Sequence, residues 1–162
     1  MQRTIDLAVL MLFTFGACTG GKKDTASIQV NPVNNQSTHT MNSYVSIFEI
    51  PVTDIQRAIN FYEGIFNLKI EKMEMSGMQM GILPYEDQMV TGVLIKEKGY
   101  EPSAHGVTLY LNGGENLQVI LDKVGPHGGK IVIPKTPHAD DSGYFALFLD
   151  TEGNKLGLHS SN

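Results

Sequence analysis

From Tyr44 to Val52 the chain alternates. In YVSIFEIPV, Phe48, Ile50 and Val52 fall on one face and Ile47, Glu49 and Pro51 on the other, as in a half-buried strand. After Asp54 the period becomes helical: Ile55, Ala58, Ile59, Tyr62, Ile65 and Phe66 recur at helical spacing, with Asp54 as the cap and Asn67 as the stop. LKIEKMEM, a Ser76-Gly77 turn, MQMGIL and, past PYEDQ, MVTGVLIKE then read as three strands. The order repeats. GVTLYLN is a strand, and GGEN opens a helix with Leu117, Ile120, Leu121 and Val124 on one stripe. GPHGG closes that helix, and KIVIP, YFALFLD and KLGLHS are three more strands. Two successive βαβββ units, each too small to close its own core, predict an α+β fold. Modules of about 43–98 and 104–160 would lie side by side around a shared curved sheet with a central cavity.

The segment before this repeat has a different pattern. Arg3 precedes the apolar run IDLAVLMLFTFGA, which is of signal-peptide length and too short for a comfortable bilayer span. Residues 1–17 therefore read as an export signal. Cys18 follows Gly16-Ala17 and is the only cysteine, so no disulfide can form within the chain. Residues 18–42 are rich in Gly, Ser, Thr, Asn and Gln without period, which predicts a flexible tether in which His39 is inert.

Composition narrows the partners. A formal charge of -5 argues against nucleic acid, which needs clustered Lys and Arg. Six Tyr, seven Phe and eight Met can supply core and pocket walls.

Two stretches resemble a known family. FEIPVTDIQRAINFYEGIFNLKIE and GYFALFLDTEGNKLGLHS are similar to the signatures of the vicinal oxygen chelate superfamily: glyoxalase-like, extradiol-dioxygenase and bleomycin-resistance proteins. The likeness rests on the Val52-x-Asp54 helix start, the Phe61-Tyr62 pair and the Asp150-x-x-Gly153-Asn154 turn, and covers residues 43–160. The Gly16-Ala17-Cys18 junction resembles a bacterial lipobox, with Phe15 where leucine is usual; a plain secretory signal is the alternative. These resemblances imply the glyoxalase/bleomycin-resistance fold, lipidation at Cys18, and attachment to a membrane of the cell envelope. Both monomer and homodimer are compatible with this architecture.

The resemblance also says where a metal would lie. Family enzymes commonly hold one divalent ion on histidine and carboxylate ligands, and it polarises substrate oxygens as a Lewis acid. The first ligand position falls on Ile47 and the last on Gly157, neither of which can ligate. The strands expected to bring the other two, MVTGVLI and GVTLYLN, contain no His, Asp, Glu or Gln. No cofactor is therefore expected. Glu49 and His159 each sit two residues beyond an empty position and keep the inward face by the period of two. They are candidates for a catalytic base and acid, or for an offset divalent-metal site completed by Tyr110 or a loop histidine. The bland alternatives are a buried, bonded Glu49 and a solvated strand tip at His159.

Tyr110, His138, Tyr144, Ile47 and Gly157 are the expected ligand contacts. The loop PKTPHADDSGY reads either as a lid whose His138 reaches the ligand or as a solvated acidic connection. His105 and His127 read as surface and helix-stop residues. Met73, Met75, Met78 and Met80 read as core, sheet surface or an adaptable pocket wall. Two functions stay open: a glyoxalase-like binder of a small molecule without the common metal, and a lyase, isomerase or dioxygenase on an offset Glu49/His159 site. A structural envelope role is the third.

Overall fold

The computed structural model describes residues 43–86 and 88–162. The expected export signal, Cys18, the expected tether and His39 lie outside the described residues. The first module runs β1 (Ile47–Pro51), α1 (Ile55–Phe66), β2 (Glu71–Met75), β3 (Met78–Ile82) and β4 (Thr91–Lys96). Its sheet order is β1-β4-β3-β2, with β1 and β4 parallel and the other pairs antiparallel. The second module repeats this with β5 (Tyr110–Asn112), α2 (Gln118–Val124), β6 (Lys130–Pro137), β7 (Tyr144–Leu149) and β8 (Lys155–Ser160), ordered β5-β8-β7-β6. This is the α+β arrangement of two βαβββ units.

Helix α1 forms where its sequence signals place it. The Asp54 carboxylate accepts from the Gln56 and Arg57 amides, both at 3.0 Å, satisfying donors the first turn leaves free. Asn67 ends it in a left-handed conformation, φ 55° and ψ 47°. Between these signals Ile55, Ala58, Ile59, Phe61, Tyr62 and Ile65 are buried, and the opposite face is solvated. Leu117, Leu121 and Val124, at or within α2, join the same apolar cluster, as do Leu94 of β4 and Ala146, Phe148, Leu156 and Leu158 of the second sheet. The Phe61 and Phe148 rings, one from each module, lie 6.1 Å apart. One core therefore holds both modules on the helical side.

Alternation decides what is left on the other side. Register pairs Glu49 with Val93, Met80 with Ile95 and Met73 with Met80, so these residues share the face turned away from α1. In the second sheet Tyr110, Gly157, His159, Phe145 and Leu147 occupy the corresponding face.

Two elements differ from expectation. The strand foreseen over GVTLYLN shrinks to Tyr110–Asn112, because Gly106 takes φ 100° and the preceding linker bonds to β8 in isolated contacts, Lys155 N to Ser103 O and Gly157 N to Leu109 O. Strand β6 runs through PKTP to Pro137, with two register irregularities against β7. As the outer strand it tolerates proline, which removes only a donor. The supposed long loop is thus a short hairpin connection, closed by His138 N donating to Gly143 O at 2.8 Å.

Candidate functional site

Period two sets the face of a side chain, and its place along the strand sets its neighbours. Glu49 is exposed and lines a cleft of about 210 Å³ with Pro51, Glu101, His105, Asn154 and Lys155. Hydrogen bonding to its carboxylate, reinforced by the negative charge, holds the Tyr100 phenol above its usual range. His159 lies four residues beyond Lys155 on β8, on the order of 13 Å at ~3.3 Å per residue. Its ring packs instead against His138, centroids 5.3 Å apart, and His138 stacks at 4.9 Å on Phe145. The structure therefore brings His138 and His159 together and seats Glu49 in a different cleft. The His138 Nε2 atom is buried without a hydrogen-bond partner among the described residues.

The other expected contacts separate in the same way. Ile47 is 61% exposed at the start of β1. Tyr144 points to the opposite face of β7 from Phe145, where it packs on the core and receives the Lys135 ammonium 4.4 Å from its ring centre. Tyr110 stands beside Gly157 across the β5–β8 pair, and its ring lies over the glycine. A Cβ at position 157 would fall inside that ring's van der Waals envelope.

A larger opening lies between the modules. About 530 Å³ is enclosed by Phe48, Phe66, Leu68, Leu83, Leu109 and Leu111, with Tyr110, Asn112 and Gln88 as its polar groups. Phe48 and Leu111 reach this cleft from the helical side of their strands, and Tyr110 and Asn112 from the opposite face of β5. Its lining is mostly apolar, with a few polar groups.

Comparison with known proteins places this geometry. Residues 38–158 match the Glyoxalase/Bleomycin resistance protein/Dioxygenase superfamily. A glyoxylase-like domain-containing protein from Didymella fabae is 32% identical over 122 residues, 70% of this chain and 91% of the relative. The chain belongs to the glyoxalase/bleomycin resistance protein/dioxygenase superfamily. Among solved structures, glyoxalase I from Zea mays superposes with a TM-score of 0.56 at 22% identity, over 72% of this chain and 45% of the maize chain. This chain thus spans less than half of the maize protein. TnmS3, an antibiotic binding protein from Streptomyces, gives 0.58 at 20% identity, over 74% and 97% of the two chains. At these identities the structural likeness establishes the glyoxalase-like fold.

Members of this superfamily often bind a divalent metal. The residues present do not fit that group. Ile47 and Gly157 offer no donor at the matching positions, and the Tyr110 ring covers the space a side chain at 157 would need. Among the described residues no three His, Cys, Asp or Glu converge to hold an ion.

The motifs that carry the superfamily likeness have a structural use. Asp150 is buried and accepts from Tyr62 Oη at 2.8 Å, Asn154 Nδ2 at 2.9 Å and the amides of Glu152 and Asn154. Burial, together with the neighbouring Asp150 charge, pushes the Tyr62 phenol well up. Asn154 also donates to Pro51 O at 2.8 Å and accepts from Ser103 N at 2.9 Å, linking the first module, the linker and the last turn. Glu152, which the sequence did not single out, accepts from Thr53 N, Thr53 Oγ1, Asp54 N and Arg57 Nε and Nη2 at 2.7–3.0 Å. Its signal was position: an acid inside the DTEGN turn, set to meet a helix N-terminus and a first-turn arginine.

Proposed function

We propose that this is an exported, lipid-anchored small-molecule-binding protein of the glyoxalase-like kind, working without the common metal site. Its ligand, partly apolar and of drug-like size, occupies the cleft of about 530 Å³ between the modules. The observation that carries the reading is that cleft's lining: Phe48, Phe66, Leu68, Leu83 and Leu109 offer apolar contact, and Tyr110, Asn112 and Gln88 offer hydrogen bonds at the rim. The antibiotic-binding TnmS3, of like fold, accords with a binding role. Export and anchoring rest on the apolar run before Cys18.

The test uses anilinonaphthalene sulfonate, an apolar aromatic probe that fluoresces on leaving water. Saturable one-site binding is expected, weakened about tenfold or more by plugging the cleft with Val90→Trp or Leu83→Trp. Thermal midpoints of both variants check that the fold persists. One-site binding that survives both plugs would move the ligand elsewhere and overturn the assignment.

A further inference from the structure

The β2–β3 hairpin holds half of the chain's eight methionines within eight residues, MEMSGMQM. Register pairs Met73 directly with Met80 and Met75 with Met78. Alternation therefore puts all four side chains on one face, with Glu74 and Gln79 on the other. The register is fixed by a two-residue turn in which Ser76 and Gly77 both take positive φ, 54° and 85°, the geometry that matches strand twist. Directly opposed residues have Cβ atoms ~4.5–5.5 Å apart and diagonal neighbours ~7–8 Å. Unbranched thioethers with three rotatable bonds can converge across such a square.

Packing accounts for only part of the cluster, since Met78 and Met80 are half-buried and their partners are not. Met73 and Met75 are 42% and 57% exposed on β2, the outer strand of its sheet, so burying apolar surface is not what they do here. Their distinguishing chemistry is the sulfur: a soft, uncharged donor that needs no deprotonation and selects Cu(I) over Zn(II), Mn(II) or Mg(II). We infer that the hairpin is a monovalent-copper site, with the exposed thioethers of Met73 and Met75 and the half-buried thioethers of Met78 and Met80 as ligands. Glu71, paired with Ile82 on the same face, adds negative charge one step beyond the square. None of the four methionines lines the inter-module cleft, so this site stands independently of the ligand proposed there.

The full chain is titrated anaerobically with Cu(I) against a chromogenic Cu(I) chelator, and with Ag(I) as a redox-inert substitute. One equivalent of each is expected to bind, with sulfur alone in the copper's first shell by X-ray absorption and no competition from Zn(II). Replacing all four residues, Met73→Leu, Met75→Leu, Met78→Leu and Met80→Leu, keeps apolar volume and should weaken Cu(I) about a hundredfold or more. The Met73→Leu, Met80→Leu pair, a smaller change, should weaken it about tenfold. Cys18→Ser removes the chain's one thiol, the His138→Ala, His159→Ala pair removes the neighbouring imidazoles, and both should leave the equivalent in place. Absence of binding, affinity unchanged in a folded fourfold variant, or loss of the equivalent with Cys18→Ser would each overturn the assignment.

Discussion

Glu152→Gln tests whether the last turn clamps the modules by charge. The Glu152 side chain is fully excluded from solvent, yet its carboxyl sits at about 2 instead of 4.5, because bonds from Arg57, Thr53 and the Asp54 amide outweigh burial, which alone would raise it. At ~1.36 kcal/mol per pH unit that depression sets an upper bound near ~3.4 kcal/mol. Arg57 is about half exposed, and solvent screens its share, so roughly 2–3 kcal/mol is the expected contribution. A carboxyl whose pKa is lower folded than unfolded stabilises fully above its unfolded value. The contribution is then lost as pH falls from about 4.5 toward 2.

Urea midpoints of wild type and Glu152→Gln from pH 7 to pH 2.5 measure this directly. At neutral pH the amide variant should be less stable by roughly 2–3 kcal/mol, since it lacks the charge and turns an N–H₂ toward donors. The gap should narrow steadily below about pH 4.5, to roughly a quarter of its neutral value by pH 2.5, because acid removes from the wild type what the mutation has already removed. Other carboxylates titrate in both proteins, and the difference cancels them. A gap equally large at pH 7 and pH 3 would refute the charge clamp and leave only shape.

Two further perturbations probe the second sheet. Gly157→Ala should cost about 1–3 kcal/mol because its methyl meets the Tyr110 ring; in a Tyr110→Ala background that cost should disappear, and a penalty unchanged by that background would place the strain elsewhere. His138→Phe keeps the ring contacts with Phe145 and His159 while removing a buried nitrogen that has no partner among the described residues, so its thermal midpoint should stay level or rise. A loss above ~2 kcal/mol would mean that Nε2 has a partner.

The fold was legible because its signals are local. Asp54 and Asn67 bracket α1, Ser76-Gly77 turns the first hairpin, and period two assigns the sheet faces. What was not legible depends on position along a strand. Alternation put Glu49 and His159 on one kind of face but carried no information about which end of β8 would meet β1, and Lys155, not His159, shares the Glu49 cleft. The reading of PKTPHADDSGY as a long loop gave its prolines too much weight: on an outer strand they break only the register. The inter-module cleft was invisible for a related reason, since Phe48 and Leu111 look like ordinary core until two modules leave a gap beside them.

The residues by which the superfamily is recognised here are the ones that join its halves. Tyr62 reaches Asp150 across the modules, Asn154 reaches Pro51, and Glu152 holds the start of α1. None of these groups lines the large cleft. Likeness at those positions therefore guarantees the module pairing and is silent about chemistry, which depends on faces that the clamp leaves free to vary. On those faces this chain carries an isoleucine, a glycine under a tyrosine, and four methionines. Such groups suit apolar contact and soft-metal coordination. Glu49, Glu71 and His159 share these faces, but among the described residues no three His, Cys, Asp or Glu converge to hold an ion, so membership of the superfamily does not by itself carry the metal-dependent reaction over to this protein.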